Sequence, residues 1–77
     1  MKIFGYKRNE INKEGLLEME EISFQCSPEK LKVIAKFLQE TAEYIEQNPG
    51  KFDHDHISFN NPDWNDDFPD IIVAEEQ

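Results

Sequence analysis

The run from Pro28 to about Gln47 has no internal glycine or proline, and both of its ends carry helix-boundary signals. Ser27 is a good N-cap, Pro28 suits the first helical position, and Glu29 lies where the positive end of the helix dipole favours an acid. Asn48-Pro49-Gly50 then stops the helix. At ~100° per residue, Leu31, Ile34, Ala35, Leu38, Ala42 and Ile45 form one stripe, which is expected to lie on a sheet. Val33, Phe37 and Tyr44 fall outside it, roughly 120–160° around the helix from its centre. A helix lying on one sheet face leaves this second stripe exposed. Its expected cover is the chain's own C-terminal segment or a partner.

The segments before the helix read as strands. Residues 2–7 are rich in β-formers, residues 8–15 are polar and turn-like, and residues 16–26 form the next strand. Strand parity puts Leu17 and Met19 on one face but Ile22, Phe24 and Cys26 on the other. One extra residue near Glu20-Glu21 restores a common face, so a β-bulge is expected there. The two strands are close enough in sequence to pair as an antiparallel hairpin.

After the helix, residues 48–70 are too long for a plain connection, and they place Phe52, Phe59, Trp64 and Phe68 among aspartates and asparagines. His54 to Phe59 alternates as a short third strand, with Ile57 and Phe59 inward and the histidines outward. Asn60-Asn61-Pro62-Asp63 is a turn, and Asp70 to Ala74 reads as a buried final strand beside an earlier one. The expected fold is a single α+β domain over residues 1–77. It has β-β-α-β-β order, with a small antiparallel sheet carrying the long helix on one face.

A chain of 77 residues buries only roughly 60% of its unfolded surface and has few apolar side chains to spare for a deep catalytic pocket. Enzymatic function is therefore not expected. Seventeen acidic residues oppose eight basic ones, for a net charge of -9. Such a surface repels nucleic-acid backbones and anionic membranes and attracts a basic partner. Solubility alone is the plainer explanation of the charge. The single cysteine, Cys26, rules out an internal disulfide, no apolar run is long enough for a membrane span, and the N-terminus reads as a strand. A cytoplasmic setting is the expectation.

Candidate chemistry is sparse. His54-x-His56 is the only metal-like constellation: residues two apart in a strand share a face, and aspartates lie nearby. No third histidine or paired cysteine motif supports it, and two histidines bonded to local carboxylates is the plainer reading. Cys26 with either histidine is a conceivable nucleophile pair, but its position suits a small buried hydrophobe. No cofactor motif is present. The segment from Asp63 to Asp70 mixes Trp64 and Phe68 with a dense acidic run. The aromatics are expected either to cap the second helix stripe or to form a recognition surface ringed by acids.

The strand pair leading into Ser27-Pro28-Glu29-Lys30-Leu31, the Asp53-His54-Asp55-His56 segment and the closing Pro69-Asp70-Ile71-Ile72-Val73 resemble a family of small bacterial immunity proteins of polymorphic-toxin systems, numbered thirty-two. The resemblance runs over most of the chain on short motifs, of which the His-x-His and Pro-Asp-Ile-Ile segments are the more distinctive. It implies a cytoplasmic toxin–antitoxin component that binds and neutralises a cognate toxin domain. Asp53, His54, Asp55, His56, Asp63, Trp64, Asp66 and Asp67 are then the expected contact residues. The alternatives are a metal-binding or small enzymatic domain on His54 and His56, or a homodimer joined through Val33, Phe37 and Tyr44.

Overall fold

The computed structural model describes residues 1–11, 15–64 and 67–75. The order is β1 (Lys2–Ile11), β2 (Leu17–Gln25), α1 (Pro28–Gln47), β3 (His54–His56), α2 (Ile57–Asn60) and β4 (Ile72–Ala74). The class is α+β, as expected, but the strands form two separate antiparallel pairs, β1 with β2 and β3 with β4. Among the described residues the strands do not join into the expected single sheet, and a helical turn interrupts the second half of the order.

Helix α1 has the boundaries its sequence signals require. Ser27 is extended, and its side chain accepts a hydrogen bond from the Lys30 amide at 3.2 Å. At the far end the Asn48 amide and its side-chain Nδ2 both donate to the Tyr44 carbonyl, at 3.0 and 2.9 Å. Gly50 then turns the chain at a φ of 75°, which a side chain would resist.

The hairpin carries the expected bulge. Tyr6 faces Glu21 and Lys7 faces Met19, so Glu20 is the extra residue. Directly opposed residues share a face, and the shift brings Leu17 and Met19 onto the side of Ile22 and Phe24. Gly5 lies on this same face. A Cβ there would run into the Met19 methyl and the Glu21 carbonyl, so the close approach needs glycine. The opposite face holds the ion pair of Arg8 Nε with Glu18 Oε1 at 3.3 Å.

The core does not lie between this hairpin and α1. It is the cluster of Ile34, Phe37, Ile57 and Trp64, with Met1, Cys26, Val33, Phe68, Ile71 and Val73 packed around it. Of the helix stripe expected on the sheet, only Ile34 is buried; Leu31, Leu38 and Ile45 are exposed. The buried side of α1 is centred on Ile34, Phe37 and Thr41. The C-terminal segment supplies Ile57 and Trp64 and takes this side of the helix, leaving the hairpin uncovered.

Two strand expectations are also corrected. Ile57 is fully buried, but Phe59 is 72% exposed. Ile57 begins a helical turn, in which residues two apart point in nearly opposite directions. Strand β4 is not buried throughout: Val73 turns inward while Ile72 faces out. Because β3 and β4 pair over three residues only, their hold comes from the Ile57 amide bonded to the Ile71 carbonyl at 2.8 Å and from the Glu75 amide bonded to the Asp53 carbonyl at 2.8 Å.

Ile57 is the point at which helix, turn and strand meet. Ile57→Val is expected to cost about 1 kcal/mol and Ile57→Ala about 3 kcal/mol, read as a fall in the urea midpoint.

Candidate functional site

The segment after α1 has to double back along the helix, and the doubling leaves an open groove of about 500 Å³ between them. From the helix, Phe37, Thr41 and Tyr44 line it; from the returning chain, Phe52, His54 and Asn60 do so. The Tyr44 and Phe52 rings meet at a tilt, 6.4 Å between centroids. Glu40, Asp53 and Asp55 place carboxyl groups along the groove, beside Lys36 and Lys51. Lys36 Nζ lies 3.8 Å from Glu40 Oε1, an exposed pair of little energetic weight.

The aspartates of this region divide into two kinds. Asp55 is used internally: its Oδ1 accepts from the His56 amide at 2.9 Å and its Oδ2 from Asn60 Nδ2 at 2.9 Å. Asp70 is the pivot of the turn. Its Oδ1 accepts from the Ser58 and Ile71 amides at 3.2 and 3.0 Å, and its Oδ2 lies 2.6 Å from His56 Nδ1. Burial pushes the Asp70 carboxyl up, but the hydrogen bonds from His56 and Ser58 and the His56 charge outweigh it, so the carboxyl sits below its ordinary value of 3.8. An ionised carboxylate only accepts, which assigns the proton to His56 Nδ1.

Asp53 and Asp63, by contrast, are exposed. Asp53 Oδ2 bonds His54 Nδ1 at 2.7 Å, and its side chain remains 88% exposed. Asp67 is exposed as well, and Asp66 lies outside the described residues. The expected contact residues are therefore not one patch of equivalent charges.

Trp64 needs correction as a contact residue. It is 6% exposed, its Nε1 donates to the Pro69 carbonyl at 3.0 Å, and its ring packs edge-on against Phe68. Lys30 Nζ sits 4.7 Å over the Phe68 ring and closes this corner against α1. Trp64 thus supports the surface from beneath. Val33 and Phe37 belong to the same core and are covered by the chain itself, whereas Tyr44 stays half exposed beside the groove. Phe37 is consequently not available as a seam between copies.

The two histidine rings meet edge to face, 5.2 Å between centroids, and each turns Nδ1 to a carboxylate. Among the described residues no group of three or more His, Cys, Asp or Glu is placed to hold a metal ion. Cys26 packs against the core. Among the described residues no helix is long and apolar enough to cross a membrane.

Sequence reasoning missed Phe59, whose exposed ring lies 4.2 Å from the His56 ring, and Asp70 as the anchor of that histidine. Alternation gave no sign of either, because the helical turn at Ile57 breaks the strand period. The Pro69-Asp70 step was visible as the entry to a strand and as part of the family-like motif, without a sign that Asp70 holds His56.

Residues 21–76 match the family described as immunity protein 32. The chain belongs to that family, which points to a toxin-neutralising role and a protein partner. Neither the curated proteins nor the solved structures yield a match.

Asp70→Asn tests the pivot. The lowered carboxyl value means that the fold favours the ionised form. That stabilisation is complete above the unfolded-state value near 3.8 and is lost as pH falls through the lower folded value. The wild-type chain should exceed Asp70→Asn by about 1 kcal/mol at neutral pH, after allowance for solvent screening. Denaturant titrations at stepped pH should show the gap closing below pH 4.

Proposed function

We propose that this chain binds a cognate toxin domain stoichiometrically and neutralises it by occlusion, without catalysing a reaction, and that the groove beside α1 is part of the contact surface. Family membership carries the first half of this proposal. The second half rests on one juxtaposition: exposed carboxyl groups of Glu40 and Asp53 lie along a groove that also offers the Tyr44 and Phe52 rings. Aromatic faces beside carboxylates suit the side chain of a basic residue. An arginine can stack its guanidinium on a ring while its N–H groups bond the acids. A net charge of -9 adds a long-range attraction for a basic toxin surface. Asp63 adds a further exposed carboxylate on the same returning segment, and Phe59 supplies an exposed apolar anchor next to His56.

Asp55, Asp70 and Trp64 act differently within this proposal. They hold the segment in shape, so replacing them removes binding through the fold and does not report on contact. Asp53 and Asp63 are free of that burden and are the residues to reverse.

Stopped-flow association with the purified toxin domain provides the test. The double variant Asp53→Lys/Asp63→Lys should slow association about 10- to 100-fold at low salt, with a shallower salt dependence. Tyr44→Ala should raise the dissociation rate at least about tenfold. Association and dissociation rates equal to wild type in both variants would remove this surface from the interface.

A further inference from the structure

Two apolar surfaces of this chain face solvent without meeting. One is the hairpin face of Leu17, Met19, Ile22 and Phe24, each at least 40% exposed. The other is the stripe of Leu31, Leu38 and Ile45 on α1, between 38% and 52% exposed. They are the two halves of a sheet-on-helix contact, and within one chain the halves stay apart: β2 is exposed along its whole length.

We infer that a second copy of the chain covers both, with the hairpin of each copy lying on the α1 stripe of the other. The size of the uncovered surface points to this occupant. A folded monomer of 9.1 kDa is expected to expose about 4,900 Å². This chain exposes 6556 Å², an excess of about 1,650 Å² over that scaling. Its radius of gyration is 13.7 Å, against about 11.5 Å for a compact chain of this length. A standard interface removes about 800 Å² from each partner, and obligate homodimers remove more. The excess over a compact fold is large enough to supply a self-interface divided between two equal contacts.

Reciprocity gives the same answer. A twofold axis brings each surface of one copy to the complementary surface of the other, so both are satisfied at once and the assembly closes. The helix stripe carries no charge, and the hairpin face carries one, Lys7 beside Met19; Glu46 is the acid nearest the stripe on α1. A basic toxin finds little to recognise there, because the exposed acids of the groove lie on other residues. The cover is also needed before any toxin is met, since an apolar surface this large promotes aggregation when left open.

Sedimentation of the wild-type chain alone decides the matter, independently of any toxin. A mass of twice 9.1 kDa is expected at micromolar concentration, falling to the monomer mass in Ile22→Glu and in Leu38→Glu. A thiol pairing experiment covers the case in which those variants do not fold. In a Cys26→Ala background, one chain carries Ile22→Cys and a second, tagged chain carries Leu38→Cys. Mild oxidation of the mixture should join tagged to untagged chain. A wild-type monomer would overturn the inference. So would a disulfide that forms within a single chain carrying both cysteines, because the hairpin would then cover its own helix. Protection of Ile22 and Phe24 amides only when toxin is added would assign the surface to the toxin instead.

Discussion

The helix α1 presents more apolar surface than the rest of the chain can cover, and the division of that surface governs everything else in the structure. Ile34, Phe37 and Thr41 are covered by the returning segment. Leu31, Leu38 and Ile45, on the neighbouring side, are not. A 77-residue chain has few apolar side chains with which to cover two sides of a twenty-residue helix. Ile57 and Trp64 settle the competition because they are large, close in sequence and brought together by a single turn. Once they occupy one side of α1, the hairpin has no claim on it.

The parts of this fold that were legible in the sequence are those fixed by local chemistry. Ser27, Pro28 and Asn48 state the helix ends through groups that bond within a few residues. The parity conflict between Met19 and Ile22 located the bulge at Glu20, because strand geometry permits no other way to share a face. The cover of Val33 and Phe37 by the C-terminal segment was one of the two expected, and what could not be read was that Leu31, Leu38 and Ile45 stay off the hairpin. Both stripes are apolar, and periodicity reports that a surface is apolar without saying what covers it. The same limit explains Phe59. Alternation placed it beside Ile57, but the chain switches from strand to helical turn at that residue, and the period of two ends there.

The candidate site was legible as a region and not as a set of roles. The clustering of Asp53, Asp55, Asp63, His54 and His56 marked the segment as acid-rich, and the structure sets Asp53, His54 and Asp55 along the groove beside the helix. Which acids are free depends on backbone amides whose direction only the turn determines. Asp55 receives the His56 amide, and Asp70 receives those of Ser58 and Ile71. Trp64 was weighed both as anchor and as contact, and its indole N–H meeting the Pro69 carbonyl makes it an anchor. A buried indole needs such a partner, so its burial and its hydrogen bond are one event.

Buried, internally bonded and exposed positions are thus interleaved residue by residue along this segment. Asp53 is exposed, Asp55 is bonded inward, His56 is held by Asp70, Ile57 is buried, and Phe59 is out again. The internal bonds of Asp55 and Asp70 fix the backbone from which Asp53 and Phe59 project, so the exposed groups are preorganised by their neighbours. An exposed carboxylate on a loose loop loses conformational entropy when a partner captures it. One on this bonded turn has lost most of that freedom already in the folded chain. In the proposed contact with a toxin domain that saving adds to affinity, because a small surface leaves each anchoring group to contribute nearly its full interaction.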